Sequence, residues 1–239
     1  MARTRRPQVI ALGGGGFSME PRNLRLDDYI LRQSGAKKPR VCFVGTASGD
    51  SDGYIARFLR AFPARRARAS VLHLFRRTVA DIPAFLLAQD VIYVGGGNTV
   101  NLLAVWRAHG IDRAMRVAWK SGVVMTGVSA GALCWFEGGT TDSFGGLARL
   151  DDGLGLLRGS VCPHYDGEVN RRPLYHAVVR AGLPSGWACD DGAAVHYVDR
   201  AFHAAVASRP GASVYRVERF GRAVVETKIP TRLLARGGV

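Results

Sequence analysis

The sequence predicts an α/β fold: a mostly parallel sheet covered by helices on both faces. Three observations carry that expectation. Short apolar, β-branched runs alternate with longer segments whose apolar residues recur at helical spacing. The runs are nearly continuously apolar, as strands buried on both faces are. Several of them end in glycine-rich turns, the address at which open α/β sheets gather ligands. With 239 residues and 47% hydrophobic content the chain can bury one substantial core, and it reads as a single domain over 1–239.

A strand over 9–12 runs into Gly13-Gly14-Gly15-Gly16, which suits the floor of a pocket as well as a tight turn and is read as the turn. A helix is predicted over 23–33 and a strand over 40–44, ending in Gly45-Thr46-Ala47-Ser48. The helix over 52–62 places Ile55, Phe58, Leu59 and Phe62 on one face. A strand over 70–74, a short helix over 82–87 and a strand over 91–94 follow, the last ending in Gly95-Gly96-Gly97-Asn98. Helices over 99–108 and 111–120 lead to a strand over 123–125. After Asp190 the pattern changes to short alternating runs over 193–198, 202–207, 213–218 and 223–228, separated by turns such as Arg209-Pro210-Gly211. These read as antiparallel strands at one edge of the same domain.

The net charge of +14 raises the question of nucleic acid. The basic residues are mostly Arg and spread along the chain; the dense groups are Arg65-Arg66-Ala67-Arg68 and Arg3, Arg5 and Arg6. No aromatic interleaving, zinc knuckle or helix-turn-helix accompanies them, so the charge reads as an Arg-rich surface with an anion-friendly field rather than a nucleic-acid interface. No apolar run approaches the roughly 20 residues that span a bilayer. The run after the basic N-terminus is too short for a signal-peptide core of about 7–15 residues. A cytoplasmic protein without a membrane partner is expected. The four Cys (Cys42, Cys134, Cys162, Cys189) contain no C-x-x-C pair and read as reduced thiols, not as a disulfide framework or metal site.

Gly127-Val128-Ser129-Ala130-Gly131 joins the strand over 123–125 to the small-residue segment Ala130-Gly131-Ala132-Leu133. A Gly-x-Ser-x-Gly between a strand and a helix has the form of a nucleophile elbow, a turn so sharp that only small neighbours fit. It lifts the hydroxyl toward a substrate beside free N–H groups that favour an oxyanion. A serine nucleophile needs a base and an orienting acid. Of the six His, His164 in Cys162-Pro163-His164-Tyr165 stands at a strand end, whereas His73, His109, His176, His196 and His203 occupy strands or helices. Spacing alone leaves His164 open between a base and a structural residue. Between Ser129 and His164 the acids are Glu137, Asp142, Asp151 and Asp152. Asp142 is either the third member or a turn residue bonding its own backbone. Gly95-Gly96-Gly97 lacks the Gly-Lys-Ser/Thr of a phosphate loop and suits an oxyanion hole better, with an N–H paired to that of Ala130.

Together Val94-Gly95-Gly96-Gly97-Asn98-Thr99, Gly127-Val128-Ser129-Ala130-Gly131-Ala132, Thr140-Thr141-Asp142 and Pro163-His164-Tyr165 resemble the peptidase E family, the aspartyl dipeptidases related to the cyanophycinases. The resemblance runs from about residue 91 to 172 and more loosely beyond. It implies a three-layer α/β/α sandwich of the class I glutamine amidotransferase type. It implies serine peptidase chemistry with no cofactor or metal: Ser129 as nucleophile, His164 as base, Asp142 (or else Glu137) as third member, and the N–H groups of Gly97 and Ala130 as the oxyanion hole. It also implies a short-peptide substrate with an acidic residue, recognised in the family by an Arg beyond the catalytic His. Here that stretch is short, and Arg171 and Arg172 are the candidates, beside acidic Asp166 and Glu168; Asn98 is a further substrate-binding candidate. The chain resembles a peptidase E-like, shorter-loop branch. A homodimer is expected from the resemblance and from the commonness of symmetric dimers. The competing readings are an esterase sharing the elbow and a non-enzymatic protein that binds an acidic ligand or nucleic acid.

Overall fold

The computed structural model describes residues 5–235, and two β-sheets and eight α-helices organise these described residues. The first half contains β1 (Gln8–Leu12), α1 (Gly16–Met19), α2 (Arg25–Gln33), β2 (Arg40–Val44), α3 (Asp52–Ala61), β3 (Arg68–Leu72), α4 (Ile82–Leu87), β4 (Val91–Val94), α5 (Thr99–Ala108) and α6 (Ile111–Lys120). Then come β5 (Val124–Val128), α7 (Ala130–Leu133), β6 (Gly138–Thr141), β7 (Ala148–Leu150), β8 (Ser160–Cys162), α8 (Arg171–Arg180) and β9 (Gly186–Cys189). Strands β10 (Ala193–Val198), β11 (Ala201–Ala207), β12 (Val214–Phe220), β13 (Ala223–Ile229) and β14 (Thr231–Leu233) follow.

The main sheet has eight strands in the order β14-β11-β10-β1-β5-β4-β2-β3. From β3 to β1 every pairing is parallel, and β10 joins β1 antiparallel. Successive residues of each strand face opposite layers, as the two-residue period requires. Val9, Cys42, Val44, Ile92 and Val94 pack on one side with Leu86, Leu102, Trp106, Met115 and Trp119 of α4, α5 and α6. Ile10, Leu12, Val41, Phe43, Val91 and Tyr93 pack on the other with Leu26, Ile30, Phe58 and Phe62, from α2 and from α3 and its end. This is the α/β sandwich the sequence predicts.

The late strands depart from the expectation of one edge. Strands β10 and β11 extend the main sheet, whereas β12 and β13 belong to a second, six-stranded sheet, β13-β12-β9-β8-β6-β7. One face of that sheet joins the main core through Val161, Trp187 and Val214; its other face, through Cys162, Ala188 and Val217, meets Tyr175 and Val179 of α8. Its central strands are short and interrupted by glycine, so they carry no readable alternation. The glycines are contact points: a Cβ on Gly139 would lie 2.0 Å from Val161 O, and one on Gly186 2.0 Å from Ser160 O.

Three arginines of the dense groups are in ion pairs, and among the described residues Arg65 and Arg68 are in none. Arg5 meets Asp90, Arg6 bonds Asp199 and Arg66 bonds Asp28; Arg3 lies outside the described residues. The four thiols are free and buried, and burial pushes Cys42 and Cys162 up to about 12. Among the described residues no helix is long and apolar enough to cross a membrane.

One buried group has a measurable cost. Asp27 is fully buried beside Tyr93 and the backbone of Phe17, and among the described residues neither carboxylate oxygen has a well-formed hydrogen bond. Desolvation pushes its carboxyl up to about 7, despite the nearby Arg66. A raised carboxyl costs nothing in acid; its cost grows as pH rises from the unfolded value of 3.8 toward 7. Between pH 5 and pH 8 the stability of Asp27→Asn should therefore gain on the wild type by roughly 3 kcal/mol. Urea midpoints at the two pH values measure this; a gap independent of pH would contradict it.

Candidate active site

Strand β5 delivers Ser129 to the carboxyl edge of the main sheet. The chain turns there within one residue: Ser129 has φ 56° and ψ −115°, a conformation that residues with side chains rarely adopt. Ser129 N–H donates to Leu12 O at 3.1 Å, and the N–H groups of Ala132 and Leu133 donate to Ser129 O at 2.9 Å. Around the turn the backbones touch. A Cβ on Gly127 would lie 2.2 Å from Gly131 O, and one on Gly131 2.3 Å from Val94 O. Helix α7 is a single turn, too short for a macrodipole of any length, and among the described residues the N–H of Ala130 has no acceptor. Ser129 Oγ has no hydrogen-bond partner among the described residues and is partly exposed to the cleft.

The loop after β4 lies against this turn. A Cβ on Gly96 would come within 3.3 Å of Ser129 Cβ. Gly97 has φ 138°, and a Cβ there would meet Ala47 O at 2.2 Å. Gly95 and Asn98 donate their N–H groups to Val44 O (3.0 Å) and Ala47 O (2.8 Å). Among the described residues the N–H of Gly97 has no acceptor.

His164 follows β8 with a positive φ of 53°, its N–H donating to Gly13 O at 3.2 Å. Its Nδ1 lies 2.6 Å from Asp191 Oδ1. This corrects the expectation that Asp142, or else Glu137, supplies the carboxylate. Asp142 borders the cleft but is exposed in the turn after β6, where its carbonyl accepts from Gly145 N–H at 3.1 Å; no hydrogen bond joins it to His164 among the described residues. Glu137 precedes β6, and its Oε2 accepts from Gly159 N–H at 2.8 Å. The physical reason is topological. Strand β9 pairs in parallel with β8, so the residues just beyond each come out side by side.

Asp191 fills space that two glycines leave open. A Cβ on Gly14 would lie 1.9 Å from its Oδ1, and one on Gly167 2.7 Å from its Oδ2. The run Gly13-Gly14 is thus more than the tight turn the sequence suggests. Asp191 N–H donates to Asp166 Oδ1 at 2.7 Å; Arg209 donates to Asp166 Oδ2 at 2.9 Å and to Asp191 O at 2.8 Å. The hydrogen bond from His164 holds the Asp191 carboxyl below its ordinary range, against the opposing effect of burial. An ionised Asp191 keeps the proton of the neutral imidazole on Nδ1 and leaves Nε2 to accept one.

Ser129, His164, Gly97, Asn98, Asp142 and Arg171 line a common cleft of about 340 Å³. Asn98 is committed to structure: its Oδ1 caps α5 through Asn101 N–H (2.8 Å) and its Nδ2 donates to Ser143 O (3.1 Å). Arg171 is only 2% exposed; it holds Glu168 through Nε (2.7 Å) and Nη2 (3.1 Å) and reaches Thr140 O through Nη1 (3.4 Å). That ion pair holds the Glu168 carboxyl below its usual range. Arg172 does not line the cleft, contrary to expectation; it lies over the rings of Tyr165 and Tyr215 and bonds Glu226 at 2.7 Å. Asp191, which the candidates between Ser129 and His164 leave out, carries one sequence signal: it follows the apolar run Trp187-Ala188-Cys189, a strand end like that before His164.

A family model described as "Peptidase family S51" matches residues 9–205. A Bacillus subtilis (strain 168) protein named "Uncharacterized peptidase YgaJ" is 53% identical over 228 residues, covering 95% of this chain and 99% of that one. Two solved structures share the fold. One, from Listeria monocytogenes EGD-e and named for peptidase E, has a TM-score of 0.60 at 18% identity and covers 94% of this chain and 99% of its own. The other, a peptidase from an acI-B1 Actinobacterium, has a TM-score of 0.62 at 15% identity and covers 95% and 96%.

Proposed function

Because this chain belongs to peptidase family S51 and is a serine peptidase, we propose that it hydrolyses short peptides through a triad of Ser129, His164 and Asp191. The observation that carries this reading is the 2.6 Å contact between His164 Nδ1 and Asp191 Oδ1, in the cleft where Ser129 stands on its strained turn. His164 Nε2 takes the Ser129 hydroxyl proton as Oγ attacks the scissile carbonyl carbon. The carbonyl π electrons move onto oxygen, and the N–H groups of Gly97 and Ala130 receive that oxyanion. The oxyanion then collapses, the C–N bond breaks, and the imidazolium delivers its proton to the leaving amine. Water, deprotonated by the same nitrogen, attacks the acyl ester and returns Ser129. Each oxyanion donor is worth about 3–4 kcal/mol in the transition state. No step calls for a metal or cofactor.

A preference for acidic residues, within a dipeptidase activity, would run through Arg171. Its planar fork matches a carboxylate bidentately, and Glu168 occupies it now. The Glu168 side chain is 47% exposed, so it is the partner able to swing out and give a substrate carboxylate its place. The small cleft favours a peptide of few residues.

Screening a dipeptide library against the wild type and Ser129→Ala tests the proposal. Turnover should fall at least about 10³-fold in the variant, with thermal midpoint and circular dichroism unchanged. Full turnover without the Ser129 hydroxyl would refute the nucleophile assignment. The wild-type profile reads the preference directly, and a profile indifferent to acidic residues removes Arg171 from substrate recognition.

A further inference from the structure

We propose that Tyr54 is a positioning residue for the oxyanion hole, holding the loop 95–98 in the shape that leaves Gly97 N–H for the reacting carbonyl. The inference rests on the reading of Gly97 as an oxyanion donor. Its basis is the fate of each N–H in that loop. Gly95 N–H goes to Val44 O and Asn98 N–H to Ala47 O, both backbone acceptors. Gly96 N–H donates instead to a side chain, Tyr54 Oη, at 3.2 Å. That hydroxyl donates in turn to Ser18 Oγ at 2.7 Å, so its single proton is directed away from Gly96 and a lone pair faces the amide.

The Tyr54 ring is fixed as firmly as its hydroxyl. It is buried and packs against Phe17 and Phe43, with the Arg57 guanidinium 4.9 Å from its centroid. A Cβ on Gly95 would lie 3.0 Å from Tyr54 Cε1, so the ring also limits where the loop can sit. On its other side the loop faces the nucleophile, since a Cβ on Gly96 would lie 3.3 Å from Ser129 Cβ. Helix α3 and helix α1 thus fix, through one phenol, the height of the loop over the elbow. Burial raises the phenol above its usual range, so it remains a neutral donor and acceptor at physiological pH. Without the hydroxyl the Gly96 N–H loses its partner, and the Gly95–Gly96 peptide plane, next to the one that carries Gly97 N–H, is free to rotate.

The test is Tyr54→Phe, which keeps the ring contacts and removes only Oη, with Ser18→Ala as a second variant that removes the acceptor of the phenol. The probe is an alkyl fluorophosphonate, whose phosphoryl oxygen takes the oxyanion position as Ser129 is phosphonylated. The rate constant kinact and the half-saturation constant KI are measured separately, with thermal midpoints. For Tyr54→Phe the expected result is a fall of about tenfold in kinact with KI unchanged within about twofold, part of the effect of deleting a donor outright. Ser18→Ala should show a smaller fall of the same kind. A folded Tyr54→Phe protein with wild-type kinact overturns the inference while leaving the serine peptidase reading intact. Should Tyr54→Phe fail to fold, Ser18→Ala decides: a lower kinact supports the proposal, a wild-type value overturns it. A wild type that does not label at Ser129 overturns the reading beneath it as well.

Discussion

Replacing Asp191 by Asn should lower kcat by about 10³–10⁴-fold, whereas Asp142→Asn should stay within about threefold of the wild type. The amide keeps the shape of the carboxylate, so His164 need not move. What changes is which ring nitrogen carries the proton. The substituted amide can present its NH₂ to Nδ1 and favour the tautomer with the proton on Nε2, which cannot take a proton from Ser129. The variant also loses the charge that stabilises the imidazolium. Asp142 makes no hydrogen bond to His164 among the described residues and stands in a turn closed by its backbone carbonyl. Steady-state kinetics on the best dipeptide, beside thermal midpoints, decide between them. Equal losses in both variants, or a loss confined to Asp142→Asn, would reverse the assignment.

A single methyl at Gly14 should have an effect of the same kind, about 10²-fold or more on kcat, while the protein stays folded. The ideal Cβ would sit 1.9 Å from Asp191 Oδ1, an overlap relieved only by moving the carboxylate. The carboxylate is the end of a side chain and can yield, so the stability cost should stay within about 1–3 kcal/mol. His164 then loses its partner, because the 2.6 Å contact uses that same oxygen. Gly127 offers a contrast. There the methyl would meet Gly131 O, a backbone atom that cannot step aside, and the expected loss is of folding. Gly14→Ala should therefore separate activity from stability: low kcat in a protein that stays folded, its thermal midpoint lowered by no more than about 10 °C. Full activity in Gly14→Ala would mean that the Asp191 contact is dispensable.

The fold was legible wherever its strands were long and apolar. Val91 to Val94 and Arg40 to Val44 stand where the pattern places them, and α4, α5 and α6 match their expected bounds. The elbow was legible because a Cβ on Gly127 or Gly131 would lie 2.2–2.3 Å from a backbone oxygen, a constraint that leaves its mark on the sequence. The second sheet was not, since β6 and β9 are four residues long and begin with glycine, so two-residue alternation has no room to show. Asp191 was hidden for a related reason. Its partnership with His164 depends on β8 and β9 being neighbours in that sheet, and pairing between strands is written in no local pattern. Arg171 and Arg172 are adjacent in sequence and chemically identical. Only the helical turn separates the one at the cleft from the one against Tyr165 and Glu226.

Peptide mapping by mass spectrometry after reaction with a fluorophosphonate tests the central claim most directly. One adduct on the peptide containing Ser129, formed in step with the loss of peptidase activity and strongly slowed in Asp191→Asn, is the outcome this mechanism requires. Continued hydrolysis with Ser129 fully modified, or inactivation traced to a different residue with Ser129 untouched, would contradict it.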